Sequence, residues 1–164
     1  MNIEIRNFEE KDWPVVADIY RLGLLTRNAS FETEAPDFDN WIKKFYPQLL
    51  WVSKRQSNVV GWAGLMPVSA RHVYRGVVGV SIYIHPESNG MGIGKLMMNH
   101  LIDESEKAGI WTLYASIFPE NIASCKLHSS AGFRLIGYRE RIAQLDGKWR
   151  NTLIYERRSQ TVGI

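Results

Sequence analysis

The sequence predicts a mixed α/β chain, an α+β arrangement with a mixed sheet and helices on its faces. Three observations carry that. Amphipathic helical segments are interspersed with β-like runs. Several runs follow one another across short polar turns, as hairpins do. A glycine cluster lies between one apolar strand and one amphipathic helix. The predicted order is β-α-α-β-β-β-α-β-α-β-β, read as one domain over residues 1–164.

The first strand, Ile3–Asn7, alternates apolar and polar residues as a half-buried strand does. A helix follows, with Asp12 as N-cap and Pro14 in the first turn, where its missing N–H costs nothing. Val15, Val16, Ile19 and Leu22/Gly23 form its apolar stripe. Residues 26–36 read as a loop, and a short helix runs from about Phe38 to Phe45, opened by Asp37 or Asp39. Leu49–Ser53 and Val59–Pro67 flank a polar turn and form a hairpin pattern. A third run, Gly76–Ile84, ends at His85-Pro86. Gly92 to about Lys107 is helical, with Ile93, Leu96, Met97, His100 and Leu101 on one face. Trp111–Ile117 is a strand and Asn121–Ala131 a short helix. Arg134–Leu145 and Trp149–Glu156 are strands joined by Asp146-Gly147, a strong hairpin signal.

Composition narrows the function. The 164 residues are 45% hydrophobic and 12% aromatic, which excludes a disordered chain. The longest uncharged window, Gln56–Ala70, contains Pro67 and is shorter than the roughly 20 apolar residues of a membrane span. The first residues carry no basic and apolar leader pattern, so a cytoplasmic protein with no membrane association is expected. The single cysteine, Cys125, excludes an internal disulfide and cysteine-based zinc frameworks. It reads as a small core residue. His85 and His100 lack metal-ligand spacing, so no metal is expected. Twenty Lys and Arg against 17 Asp and Glu give a net charge of +3, mildly basic and compatible with an anionic ligand. No basic run exceeds Glu156-Arg157-Arg158, and the aromatics fall mostly at core periodicity, so a nucleic-acid partner is not expected.

The most informative stretch is Val80–Lys95, an apolar strand running into glycines at 90, 92 and 94 that open a helix. Backbone N–H groups there can approach a ligand closely. The helix N-terminus adds free donors and partial positive charge, an anion site suited to phosphate. It is not a Walker A loop, because Asn89 and Leu96 stand where Gly and Ser/Thr are needed. It is not a dinucleotide fingerprint either, because the third glycine position falls on Lys95 or Met97.

Asn89-Gly90-Met91-Gly92-Ile93-Gly94 resembles the Arg/Gln-x-x-Gly-x-Gly/Ala phosphate loop of the GNAT superfamily of acyl-CoA N-acyltransferases, with Asn89 in place of the usual Arg or Gln. Asn121–Phe133 resembles the same superfamily's Asn-x-x-(Ala/Ser)-x-x-Leu-(Tyr/His)-x-x-x-Gly-Phe block. Within it, Ala29–Glu34, Val73-Tyr74-Arg75 and Ser81–Ile84 are similar to phosphinothricin and methionine sulfoximine acetyltransferases. That group often carries a Glu where Gly79 stands, so a base role at that position does not transfer.

The resemblance implies a GNAT-like fold and transfer of acetyl from acetyl-CoA to a primary amine of a small amino-acid-like substrate, by direct attack and with a detoxifying role. It implies that Ile82, Tyr83 and Ile84 hold the pantetheine arm, with one N–H aimed at the thioester oxygen, and Tyr83 and His128 as catalytic residues. Gly90, Met91, Gly92, Ile93, Gly94 and Lys95 would cradle the pyrophosphate. Asn121 would bond the pantetheine arm or an ordered water beside it, Lys126 would reach the 3′-phosphate or stay solvated, and a His128 imidazolium would protonate the leaving thiolate. Phe31, Glu32, Arg71, His72, Tyr74 and Arg75 would bind the acceptor, the arginines matching a carboxylate or phosphinate. The base stays open among Glu32, His72 and water. The resemblance also suggests a homodimer. Other amines, such as a polyamine or a protein N-terminus, and a non-catalytic acetyl-CoA-binding module stand as alternatives.

Overall fold

The computed structural model describes residues 2–164. Seven strands form one sheet in the order β1-β2-β3-β4-β5-β7-β6. They are β1 (Ile3–Asn7), β2 (Leu50–Arg55), β3 (Asn58–Pro67), β4 (Val77–Ile84), β5 (Thr112–Ile117), β6 (Arg134–Leu145) and β7 (Lys148–Arg158). The helices are α1 (Trp13–Leu25), α2 (Phe38–Ile42), α3 (Ile93–Lys107) and α4 (Ile122–Ser130). The predicted element order holds throughout.

Every neighbouring pair in the sheet is antiparallel except β4 and β5. Those two are parallel and paired only at Val77–Thr112, Val78–Leu113 and Gly79–Tyr114. Beyond that point β4 runs on to Ile84 and β5 to Ile117 without pairing to each other. At the closed end of this gap, Trp111 lies flat on Gly76. A β-carbon on Gly76 would stand 2.0 Å from the indole. The Gly76 carbonyl accepts from the N–H of both Trp111 (2.9 Å) and Thr112 (3.0 Å).

Alternation along the strands sends side chains to two cores. One packs Ala63, Leu65, Val78 and Leu113 against Ile93, Met97, Met98 and Leu101 of α3. The other packs Val52 and Trp62 against Val16, Ile19, Tyr20 and Leu24 of α1 and Trp41 of α2. Trp41 and Trp62 meet edge to face at 5.2 Å, and both are fully buried. Val16, Ile19, Ile93, Met97 and Leu101 of the expected helix stripes are buried. Val15 and Leu96 are exposed, because the buried rows continue through Tyr20 and Leu24 in α1 and through Met98 and Ile102 in α3. The second helix stops at Ile42 rather than Phe45, although Phe45 is still buried. Asp37 caps it, accepting from Asn40 N–H at 2.8 Å. The Asp146-Gly147 turn has positive φ at both residues (49° and 76°), the geometry of a tight two-residue hairpin.

Asp12 precedes α1, yet its side chain makes no cap bond to that helix. It receives two guanidinium N–H groups of Arg6 at 2.8 Å and the backbone N–H of Glu9 at 2.9 Å, tying β1 to the helix entry. Burial opposes its charge, but the Arg6 bonds outweigh that and hold its carboxyl below the ordinary value. Asp12→Ala is expected to destabilise the fold by about 2–3 kcal/mol at neutral pH. A group whose folded pKa is depressed stabilises above its unfolded pKa and loses that as pH falls. The gap between wild type and variant, read by urea unfolding, therefore narrows below pH 3.8.

Candidate active site

The open gap between β4 and β5 is the floor of a cavity of about 920 Å³. The phase of the β3–β4 ladder decides which backbone groups face it. His85 N–H donates to Val60 carbonyl at 2.8 Å, and the register runs unbroken from Gly61–Ile84 to Pro67–Val78. Hydrogen-bonded positions alternate along an antiparallel pair. Residues 79, 81 and 83 therefore turn their backbone groups to β3, while Val80, Ile82 and Ile84 turn theirs to the gap, where β5 no longer answers them. Of the three residues expected to hold the pantetheine arm, Tyr83 turns its backbone groups to β3. Ile82 and Ile84 turn theirs to the gap.

One end of the gap leads to the glycine loop. Gly90 and Gly92 have φ of +76° and +77°, and nothing lies within 4 Å of where their β-carbons would be. Gly92 is the N-cap of α3, so the open space is bordered by the helix's unpaired first N–H groups. Ser88, Asn89, Gly90, Gly92, Ile93 and Gly94 line the cavity here. Met91 and Lys95 do not. Met91 turns into the α3 core, its sulfur accepting from Arg55 at 3.3 Å, and Lys95 is exposed on the first helical turn.

Helix α4 forms the opposite wall with Ala123, Ser124, Leu127 and His128. Asn121 lines the cavity, but both ends of its amide are engaged. Its Oδ1 accepts from Ser124 N–H at 3.1 Å as the α4 cap, and its Nδ2 donates to Asn28 carbonyl at 3.0 Å. It joins α4 to the loop after α1, and its amide keeps a second N–H and a second lone pair. Lys126 is exposed and does not line the cavity. His128 is buried, edge-on to Phe133 at 4.9 Å. Its Nδ1–H donates to Ser124 carbonyl at 2.8 Å, which leaves the lone pair on Nε2. Burial lowers its pKa against the opposing pull of that bond. The structure thus favours a neutral imidazole over the imidazolium expected from sequence.

On the α1 and α2 side the walls are aromatic. Tyr83 stacks on Trp62 at 5.0 Å and 13°, and its ring lies against Gly23, where a β-carbon would be 2.6 Å away. Burial pushes the Tyr83 phenol up, so it stays protonated. Glu32 and Lys44 are the charged side chains of Asp, Glu, Lys or Arg type that line the cavity. Lys44 donates to Glu32 Oε1 at 2.7 Å, and Tyr20 hydroxyl donates to Oε2. Burial alone would raise Glu32, but these two bonds prevail and keep it below the ordinary carboxylate value. Such a carboxylate is a poor proton acceptor at neutral pH. Phe31 meets Phe118 edge to face at 4.9 Å. Arg150 sits over Phe118 at 4.0 Å and donates to Arg27 carbonyl at 2.8 Å, pinning the loop.

The expected cationic cluster lies elsewhere. Arg71, His72, Tyr74 and Arg75 are exposed on a turn before β4 and do not line the cavity. Arg71 stacks on Tyr74 and Arg75 on Trp111, at 5.4 and 5.3 Å. Tyr20, Lys44, Trp62, Tyr114, Phe118 and Thr152 line the cavity without having been singled out in the sequence. None sits in a motif, and their spacing matches that of ordinary core residues.

A split sheet, a glycine loop at a helix N-terminus and a deep cavity between them define an acyl-carrier-binding transferase site. Residues 4–133 match the model of the Acetyltransferase (GNAT) family. The L-amino acid N-acyltransferase MnaT of Escherichia coli K12 is 30% identical over 90% of this chain and 88% of its own length. The L-methionine sulfoximine/L-methionine sulfone acetyltransferase of Salmonella typhimurium is 29% identical over 88% of both. A phosphinothricin acetyltransferase from Sinorhizobium meliloti, solved with AcCoA, superposes with a TM-score of 0.90 at 27% identity, over 99% of this chain and 91% of the other. The chain belongs to the GNAT acetyltransferase family. It is an N-acetyltransferase, and acetyl-CoA is its acetyl donor. The residues present fit that donor: the space over Gly90 and Gly92 admits a phosphate, and the free edge of β4 offers a strand's worth of donors and acceptors.

Gly92→Ala places a β-carbon in that space at a left-handed φ. It is expected to raise the KM for acetyl-CoA roughly five- to ten-fold in steady-state assays, with about 1 kcal/mol lost in stability. His128 makes a second prediction. A group whose folded pKa is lowered below an unfolded 6.5 costs stability as pH falls below 6.5, because the unfolded chain takes up the proton first. Thermal unfolding at pH about 7.5 and about 5.5 should show a smaller acid-side drop for His128→Gln than for wild type.

Proposed function

We propose that this acetyltransferase acetylates the primary amine of a small amino-acid-like substrate of the methionine sulfoximine or phosphinothricin type. The observation that carries the reading is the acceptor half of the cavity, aromatic-walled and closed by the Glu32–Lys44 pair. It carries one ion pair among aromatic walls and presents no acidic trough for a polyamine. The curated relatives named for such substrates support it.

When bound, acetyl-CoA supplies an activated acetyl thioester. Gly90, Gly92 and the first turn of α3 bind the pyrophosphate through backbone N–H groups. Val80, Ile82 and Ile84 hold the pantetheine arm on the free edge of β4, and one of these N–H groups hydrogen-bonds the thioester oxygen. Gly79 brings no carboxylate to the site, and Glu32 is held ionised by Lys44 and Tyr20. The amine must therefore lose its proton to water or to His128. His128 Nε2, unprotonated and on the α4 wall, accepts that proton and can pass it to the leaving sulfur.

We also propose that the working form is a homodimer. Leu135, Ile136, Tyr138, Ile142 and Trp149 are exposed on the β6–β7 hairpin, and β6 is the edge of the sheet. An exposed apolar edge strand is normally covered by a partner.

Free-thiol release from acetyl-CoA should be strong with methionine sulfoximine or phosphinothricin and near the amine-free blank with spermidine. Turnover with spermidine alone would sink the amino-acid reading. Light scattering should report a dimer mass.

A further inference from the structure

The loop that follows α1 supplies Asn28, Ala29, Ser30, Phe31 and Glu32 to the cavity wall. Among the described residues, no backbone-to-backbone hydrogen bond ties residues 28–36 to the rest of the fold. Side chains hold this segment instead. At its far end, Tyr20 and Lys44 hold the Glu32 carboxylate. At its near end the holding group is Arg150 of β7, 122 residues along the chain from Asn28.

The Arg150 side chain is only 17% exposed. Its guanidinium donates to Arg27 carbonyl at 2.8 Å, and to Asn28 Oδ1 and Glu120 Oε2 at 3.3 Å each. The same group stands over the ring of Phe118 at 4.0 Å, and Phe31 meets that ring edge to face at 4.9 Å. One side chain thus joins β7, the start of the loop and the wall on which Phe31 leans. Arg27 has a left-handed φ of 54°, a conformation that a residue with a β-carbon disfavours, so the turn depends on groups that fix it from outside. Asn121 adds a bond to Asn28 carbonyl. The ion pair of Arg27 with Asp146 is 41% and 53% exposed, and such pairs hold little. Arg150 does not line the cavity, so its influence on the reaction passes through the loop.

We infer that Arg150 is a positioning residue: it hangs the loop of residues 26–32 from β7, so that Phe31 and Glu32 stand in the acceptor half of the cavity, and it governs acceptor binding without touching either substrate. This rests on the reading of that half proposed above.

The test uses Arg150→Gln, Phe31→Ala, their combination and Asp146→Asn. Amide hydrogen exchange of Asn28–Glu32 should speed up about ten-fold or more in Arg150→Gln, with α3 unchanged. Its KM for methionine sulfone should rise about five- to ten-fold while its KM for acetyl-CoA stays within about two-fold. The rise in melting temperature on adding CoA should match wild type, which reports a folded donor site. The double variant should be no worse than the poorer single variant by more than about two-fold, because both changes act through Phe31. Asp146→Asn should behave as wild type. Unchanged exchange in Asn28–Glu32, or an equal rise in both KM values, overturns the assignment and leaves the amino-acid reading intact. Multiplied losses in the double variant, or the same loss in Asp146→Asn, overturn it as well. Thiol release by wild type with neither methionine sulfone nor phosphinothricin overturns the proposed function, and the exchange measurement still decides whether Arg150 holds the loop.

Discussion

The early end of pairing between β4 and β5 governs the rest of the molecule. A parallel pair that continued past Gly79 and Tyr114 would satisfy its own backbone and leave a closed sheet. Stopping there leaves the gap-side groups of Val80, Ile82 and Ile84 without a strand to answer them. Backbone polar groups need partners, and the gap is wide enough for a ligand to supply them. Both helical layers are arranged around this opening: α3 starts at its edge, and α1 and α2 wall its other face.

The electrostatics of the cavity are sparse. A low-dielectric aromatic enclosure magnifies whatever charge it contains. Here that charge is one ion pair, with Tyr20 fixing the carboxylate. His128 adds a neutral imidazole whose tautomer is set by the Ser124 carbonyl. The imidazole and the ion pair thus stand on different walls, α4 for the first and the end of α2 for the second.

What was legible in the sequence follows from how local the cause is. The glycine loop could be read because strand, positive-φ glycines and helix are contiguous between Val80 and Lys95. The hairpin at Asp146-Gly147 was equally local. The family resemblance was carried by the same contiguous blocks. The Tyr20–Glu32–Lys44 chain was not legible, because each partner is 12 residues from the next and only the packing of α1 and α2 brings them together. Which backbone groups of β4 face the gap depends on the phase of the β3–β4 ladder, which needs a register between distant strands. Arg71 to Arg75 drew attention because charge and aromaticity cluster just before β4, which is a local feature. In the fold the same residues stack on each other and on Trp111.

Gly76 and Trp111 close the gap at its far end, and that contact makes them a fulcrum. The carbonyl of Gly76 takes both N–H groups that begin β5, and Trp111 carbonyl in turn receives Ser159 N–H at 2.8 Å from the end of β7. β4 and β5 both leave this point, and the indole lies so close to the glycine that a β-carbon there would stand 2.0 Å from it. A side chain at position 76 would act as a wedge, turning a displacement of an ångström or so at the pivot into a larger change in spacing at the other end. Gly76 therefore constrains the sheet from a place that does not line the cavity, beside the strand ends from which the gap opens.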